Sequence, residues 1–292
     1  MDTGVFDLSP LAGLVHLEEL MIANPDVSDL SPLSSLSRLK ILRLDNGSLI
    51  SSQITDLSPL AGLSGLEQLY IPPMPDYTDF SCLSGLTNLR VLRMVGTRES
   101  GSNHVDSLEF LKNMKQLEVV CLVVQSGDLS SAAGLTQLRE LSLHGDLTAP
   151  DTGVFRDLTQ LEVLSLRSDS ICSAADMEDF SGLTRLRELN LTLDGVTSLA
   201  GLEPLTQMET LELYLYGDSP SQTITDLEPL RHMAQLRRLR LYAAPSGYMS
   251  SPALQIDALA DLKQLQTVDI GPSVRISRTS ALPDEIDIQF SE

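Results

Sequence analysis

One frame, Leu-x-x-Leu-x-x-Leu-x-Leu, recurs along almost the whole chain and leaves few folds open. It begins at Leu14, Leu36, Leu63, Leu86, Met114, Leu135, Leu158, Leu183, Leu205, Met233 and Leu262, a spacing of about 25 residues. All 44 anchor positions are Leu, Ile, Val or Met in a chain that is 42% apolar overall, so the pattern does not arise by chance. The last three residues of each frame alternate with period two, as a strand with one buried face does. The preceding Leu-x-x-Leu carries the chain through a turn. One repeat cannot bury its own leucines. Stacked repeats can, at roughly 1.5–3 kcal/mol for each fully buried large aliphatic side chain. The pattern therefore predicts an α/β solenoid of about eleven right-handed coils. One parallel β-sheet would line its concave face, with short helices or 3₁₀ turns on the convex face.

The return segment is regular too. Asp stands seven residues before the first anchor in eight repeats, at Asp7, Asp29, Asp56, Asp79, Asp128, Asp151, Asp176 and Asp226. A side-chain carboxylate there is placed to accept backbone N–H groups at the turn. Three of these lead into Ser9-Pro10, Ser31-Pro32 and Ser58-Pro59, where the Ser is expected to cap a short helix and the Pro to open it. The stretch Ile54-Thr-Asp-Leu-Ser-Pro-Leu-Ala-Gly-Leu-Ser-Gly-Leu-Glu-Gln-Leu-Tyr-Ile71 resembles leucine-rich repeat proteins, in the subclass found in internalins and in a phosphatase-regulating repeat protein. The resemblance runs from about Asp7 to Ile270 and implies the horseshoe fold and a role in binding other macromolecules. One column departs from it. Where the family places Asn after the strand, this chain has Pro25, Gly47, Met74, Thr97, Gln125, Asp146, Asp169, Asp194, Tyr216, Ala244 and Ser273.

The frames define a solenoid over residues 1–273. Residues 274–292 contain two alternating stretches, Val274-Arg-Ile276 and Glu285-Ile-Asp-Ile-Gln-Phe290, which read as a β capping segment. The chain opens inside a repeat. That leaves two readings: further domains of the same polypeptide upstream, or a short irregular cap over residues 1–8. Acidic residues outnumber basic ones 40 to 20, for a formal charge of −20. This balance disfavours nucleic acid and anionic membrane surfaces, and favours a protein partner with basic patches. Nothing at the start reads as a secretory signal, and the three cysteines form no disulfide framework, so a cytoplasmic setting is the expectation. The motifs of nucleophilic, metal and phosphate-loop chemistry are missing, and the four histidines fall on separate repeats. The reading is of a non-enzymatic module without cofactor or metal.

Stacking turns equivalent positions into surface stripes. The column after the second anchor, Glu18, Lys40, Glu67, Arg90, Glu118, Arg139, Glu162, Arg187, Glu209 and Arg237, alternates in sign and reads as a ladder that keeps register. The residues flanking the third anchor face the concavity. Two clusters emerge there: Arg43, Tyr70 and Arg93 on consecutive coils, and Tyr214, Tyr242, Arg238 and Arg240 with Glu212 beside them. Tyr and Arg anchor many interfaces; they also stack on one another simply to cover strand backbone. Cys121 on the same face reads as a small apolar residue. Four repeats of 27–29 residues carry their extra length after the strand, near 45–53, 95–104, 214–223 and 242–253, which would raise a loop-rich rim on one edge. The expected function is protein–protein recognition, as the sensor or scaffold part of a larger bacterial signalling protein. An internalin-like surface adhesin and the substrate-recognition arm of an enzyme are the alternatives.

Overall fold

Leucines three residues apart match the period of a 3₁₀ turn, and the backbone closes accordingly. The Leu33 N–H donates to the Leu30 carbonyl at 2.9 Å, Leu36 to Leu33 at 3.0 Å and Leu39 to Leu36 at 2.9 Å, after which the chain extends into a strand. The same steps recur at Leu230, Met233 and Leu236. The computed structural model describes residues 7–23, 27–45, 53–72, 79–94, 105, 107–148, 152–167, 172–173, 177–194, 196–216, 224–243, 253–271, 276–277 and 287–290. They fall in two compact units, Met1–Thr148 and Ala149–Glu292.

Unit 1 holds β1 (Glu19–Ala23), β2 (Ile41–Asp45), β3 (Gln68–Ile71), β4 (Val91–Met94), β5 (Val119–Asp128) and β6 (Glu140–Thr148), each paired parallel with the next. Unit 2 holds β7 (Val163–Arg167), the short β8 (Cys172–Ser173), β9 (Glu188–Asp194), β10 (Thr210–Tyr216) and β11 (Arg238–Ala243). It continues with β12 (Leu254–Gln255), β13 (Thr267–Ile270), β14 (Ile276–Ser277) and β15 (Asp287–Phe290). Its main sheet runs β7-β9-β10-β11-β13-β15, all parallel, while β8 lies beside β9 and β12 pairs with β14. The helical elements between strands are 3₁₀ turns of three to five residues; no α-helix occurs among the described residues. Nor is any helix there long and apolar enough to cross a membrane.

The lateral ladder starts at the alternating-charge column. The Lys40 N–H donates to the Glu18 carbonyl, Glu67 to Lys40 and Arg90 to Glu67, each at 2.8 Å; in unit 2, Glu209 donates to Arg187 at 2.7 Å. Side chains of this column meet as well: Lys40 with Glu18 at 2.7 Å, Arg187 with Glu209 at 3.3 Å, and Arg90 with Glu118. These pairs are exposed and add little stability. The core is the leucine stack. Leu36, Leu39, Leu42, Leu63, Leu66 and Leu69 are all 0% exposed. The first frame differs. Leu14 is 48% exposed and Leu17 and Leu20 are half-buried, because among the described residues only one coil stacks against them.

Six of the eight turn aspartates accept as expected; Asp151 and Asp176 lie outside the described residues. Asp7, Asp29, Asp56, Asp79 and Asp128 each take the N–H of the Ser two residues on, at 2.7–2.8 Å, and Asp226 takes that of Glu228 at 2.8 Å. The Ser hydroxyl, and after it this N–H, holds the carboxyls of Asp7, Asp29, Asp79 and Asp128 below the ordinary aspartate range. The Ser itself does not cap. Ser9, Ser31 and Ser58 are the first residues of their 3₁₀ turns, the cap positions are Leu8, Leu30 and Leu57, and these make no side-chain cap bond. The carboxylate two residues upstream already holds the first free N–H, and the Pro that follows has none to offer. Two glycines mark close approaches. Gly145 (φ 137°) sits opposite a register shift between Val124 and Ser126, where a Cβ would lie 1.7 Å from the Val124 oxygen. Gly201 (φ 100°) lies so near the preceding coil that a Cβ would be 2.5 Å from the Glu178 nitrogen.

Candidate functional site

Alternation puts the anchors of each strand inward and leaves the residues between them on the open face of the sheet. In unit 1 that face runs Met21, Arg43, Tyr70, Arg93, Cys121 and Ser142 in direct register from β1 to β6. The Arg43 guanidinium lies over the Tyr70 ring, 4.4 Å from its centre, and the Tyr70 hydroxyl donates to Gln68 Oε1 at 3.3 Å. Arg93 does not join them. It reaches across β5 to an ion pair with Glu140, which draws it away from Tyr70. The expected cluster of three is therefore a cation–ring pair and a separate salt bridge. A carboxylate within reach attracts a guanidinium more strongly than a ring face does. Cys121 stands between Arg93 and Glu140. Its thiol donates to Glu140 Oε1 at 3.1 Å, and burial pushes its pKa up to about 12. It stays protonated at neutral pH and is no nucleophile.

In unit 2 the face is a closed network built around Glu212, which is only 7% exposed. Its Oε2 accepts from Arg167 at 3.0 Å and from the Asn190 amide at 2.9 Å; its Oε1 accepts from Arg240 at 2.9 Å. Arg240 also approaches Asp269 at 3.7 Å, and Asp269 accepts the Tyr242 hydroxyl at 2.7 Å. The Tyr242 ring stacks on Tyr214 with centres 5.0 Å apart and planes 14° apart, and the Arg167 guanidinium lies 5.2 Å from the Tyr214 ring centre. The circuit Arg167–Glu212–Arg240–Asp269–Tyr242–Tyr214 returns to Arg167. Strand spacing explains how it closes. Arg167 on β7 must cross β9 to reach β10, about 10 Å away at the usual spacing, and the residue paired with Tyr214 on β9 is the small Thr192. On the other side Tyr242 lies against Gly271, whose missing side chain gives the ring room; a Cβ there would be 3.3 Å from it.

Two buried charges that pair badly cost more than they return, whereas a carboxylate with three good donors is well compensated. The network is thus rigid and nearly neutral. Arg167 Nε and Asn190 Oδ1 are buried without a hydrogen-bond partner among the described residues. Arg238 shares the strand and the face with Arg240 but stays outside the circuit, and it is exposed. Sequence reasoning named Glu212, Tyr214, Arg238, Arg240 and Tyr242 here and did not select Arg167, Asn190 or Asp269. For Arg167 the missed signal is register two strands away, within an arginine's reach; Asn190 and Asp269 stand in direct register with Glu212 and Arg240 on adjacent strands, a signal the columns already held. Among the described residues no group of three or more His, Cys, Asp or Glu could hold a metal ion. Most of the four long post-strand segments and residues 1–6 lie outside the described residues.

No protein-family model matches the chain, and no curated protein does. Solved structures do. An internalin of Listeria monocytogenes superposes with a TM-score of 0.76 at 21% identity, covering 98% of this chain and 77% of that one. The functional domain of InlJ, also from Listeria monocytogenes, gives 0.51 at 16% identity over 95% of this chain and 63% of its own. A structure described as a TDR receptor gives 0.53 at 16% identity over 98% and 58%. At this level of identity the likeness concerns the fold. The chain has the leucine-rich repeat fold, and the form of it that internalins have.

Proposed function

We propose that the protein is a non-enzymatic recognition module that binds a protein partner on the open face of its sheet. The observation that carries this is the Tyr214–Tyr242 stack in unit 2. It is a half-exposed aromatic pair locked in place by Arg167, Asp269 and Gly271. A face that only had to cover strand backbone would not need its rings fixed from three sides. Aromatic and arginine side chains held rigid before binding lose little entropy when a partner arrives. The buried anchors and the backbone ladder form the frame of the coils, and the aromatic pair lies outside that frame on the open face. The −20 formal charge adds long-range attraction for a partner with basic patches, so association should slow as salt rises.

In this reading the module is the sensor or scaffold part of a larger bacterial signalling protein and works in the cytoplasm, with further domains on the same polypeptide. The alternative is a surface adhesin of the internalin kind, which the similarity of fold favours. The two diverge upstream: a signal sequence and a wall or membrane anchor in the complete gene would decide for the adhesin. Binding itself is tested by capturing partners from native extract and repeating the capture with Tyr214→Ala/Tyr242→Ala and with Arg43→Glu. The double tyrosine variant should lose the partner while still unfolding in one cooperative urea transition. Full retention of the partner by both variants would remove the open face from the account.

A further inference from the structure

The charges on the open face of unit 2 are not all committed. Arg167, Glu212, Arg240 and Asp269 compensate one another within the circuit. Arg238 does not take part. It is exposed, lies between Thr210 and Thr267 in register, and has no ion pair among the described residues. The Tyr214 hydroxyl likewise has no hydrogen bond among the described residues, whereas the Tyr242 hydroxyl is held by Asp269. Arg238, Arg240 and Tyr242 follow one another at every second position of β11, so they share one face. Arg238 and Tyr242 are four residues apart, roughly 13 Å along the strand.

We infer that this face takes an extended protein segment lying along β11. One carboxylate of the segment pairs with Arg238, and an aromatic or branched apolar side chain four residues away rests on the Tyr214–Tyr242 pair. Four residues of extended chain span the same roughly 13 Å, and positions four apart point to the same side. Charge complementarity selects a carboxylate, because Arg238 is the uncompensated cation beside the aromatic pair. Glu188, exposed and without an ion pair among the described residues, lies in the same row as Arg238 with Thr210 between them, about 10 Å away. It repels the incoming carboxylate from the β9 side and so confines the segment to β11. The local preference for an acid is compatible with a partner that is basic overall, since the long-range field steers and the contact residue selects.

This inference rests on the open-face reading, and the test separates the two. Random dodecapeptides displayed on phage would be selected against the full chain, and the winners measured as free peptides against Arg238→Glu and against Tyr214→Ala/Tyr242→Ala. The expected winners carry Asp or Glu four residues from an aromatic or branched apolar residue. They lose about tenfold or more in affinity on Arg238→Glu, and replacing their acid by Lys restores binding to that variant. Arg238 is exposed, so the variant should unfold as the parent does, which urea titration checks. Winners that fail on the tyrosine variant yet ignore Arg238→Glu would overturn the inference and leave the open-face reading intact. Winners indifferent to both variants, or no winners at all, would overturn the inference and count against the open-face reading as well.

Discussion

In unit 1, Arg43 rests on Tyr70 with no ion pair among the described residues and Arg93 is spent on Glu140, so the described face offers one loose cation–ring pair. In unit 2, two arginines grip one buried glutamate and the same arginines reach out to a tyrosine stack and an aspartate. The backbone beneath is the same parallel ladder in both. The difference therefore lies in the residues between the anchors. In the network, removing Glu212 strands two arginines at once; in the pair, either side chain can be removed almost alone. A recognition surface needs the first kind of order, because rigidity before binding is what spares entropy during it.

Replacing the central carboxylate is the most disruptive way to test this contrast. Glu212→Ala strands Arg167 and Arg240 on a largely buried face and should cost about 2–4 kcal/mol in urea unfolding. Glu140→Ala in unit 1 strands one arginine, Arg93, and takes the acceptor from the Cys121 thiol; the Glu140 side chain is more exposed than that of Glu212, 24% against 10%, and its loss should cost about 1–2 kcal/mol. Equal losses would erase the distinction between the units. A double-mutant cycle on Tyr214→Ala and Tyr242→Ala should then return a coupling of about 0.5–1.5 kcal/mol, the worth of a stacked pair beyond its buried area. A coupling near zero would mean that the rings are neighbours without being partners. Removing the loose cation, Arg43→Ala, should cost no more than about 1 kcal/mol.

Acid gives the gentlest probe. The carboxyls of Asp7, Asp29, Asp79 and Asp128 have lowered pKa values in the folded chain, chiefly because Ser hydrogen bonds favour the charged form. A group lowered on folding stabilises fully above its unfolded pKa, about 4, and that contribution is lost as the pH falls through the folded value. All four lie in unit 1. Stability followed from pH 7 downward should thus hold until about pH 4 and then decline. The decline should be shallower in a variant with these four aspartates changed to Asn. An unchanged slope in that variant would show that the turn carboxylates do not set the acid limit.

Which parts of this were legible beforehand follows from distance along the chain. The strands, the 3₁₀ turns and the turn carboxylates are local and periodic, so eleven repeats of Leu-x-x-Leu-x-x-Leu-x-Leu display them openly. The stacking of Arg43 on Tyr70 could be read because it joins adjacent coils in direct register. Arg93 and Glu140 are two strands apart and offset by two positions, so a column-by-column reading places Arg93 with the wrong neighbour. Arg167 escaped selection for the same reason, since its partner Glu212 is two strands away; Asp269 stands in direct register with Arg240 and was legible in the same way as Arg43 and Tyr70. The Ser-Pro pairs misled for a third reason. They look like helix caps in isolation, but the aspartate two residues earlier already takes the N–H that a cap would hold.

Leu213 and Tyr214 are consecutive on β10, one fully buried among the anchors and the other on the open face. If the anchors hold the fold and the residues between them are free for recognition, urea unfolding should separate these neighbours sharply. Leu213→Ala should cost about 2–5 kcal/mol and Tyr214→Ala less than about 1.5 kcal/mol. Equal costs, or a larger loss from the tyrosine, would mean that the open face is structural and has no surface to spare for a partner.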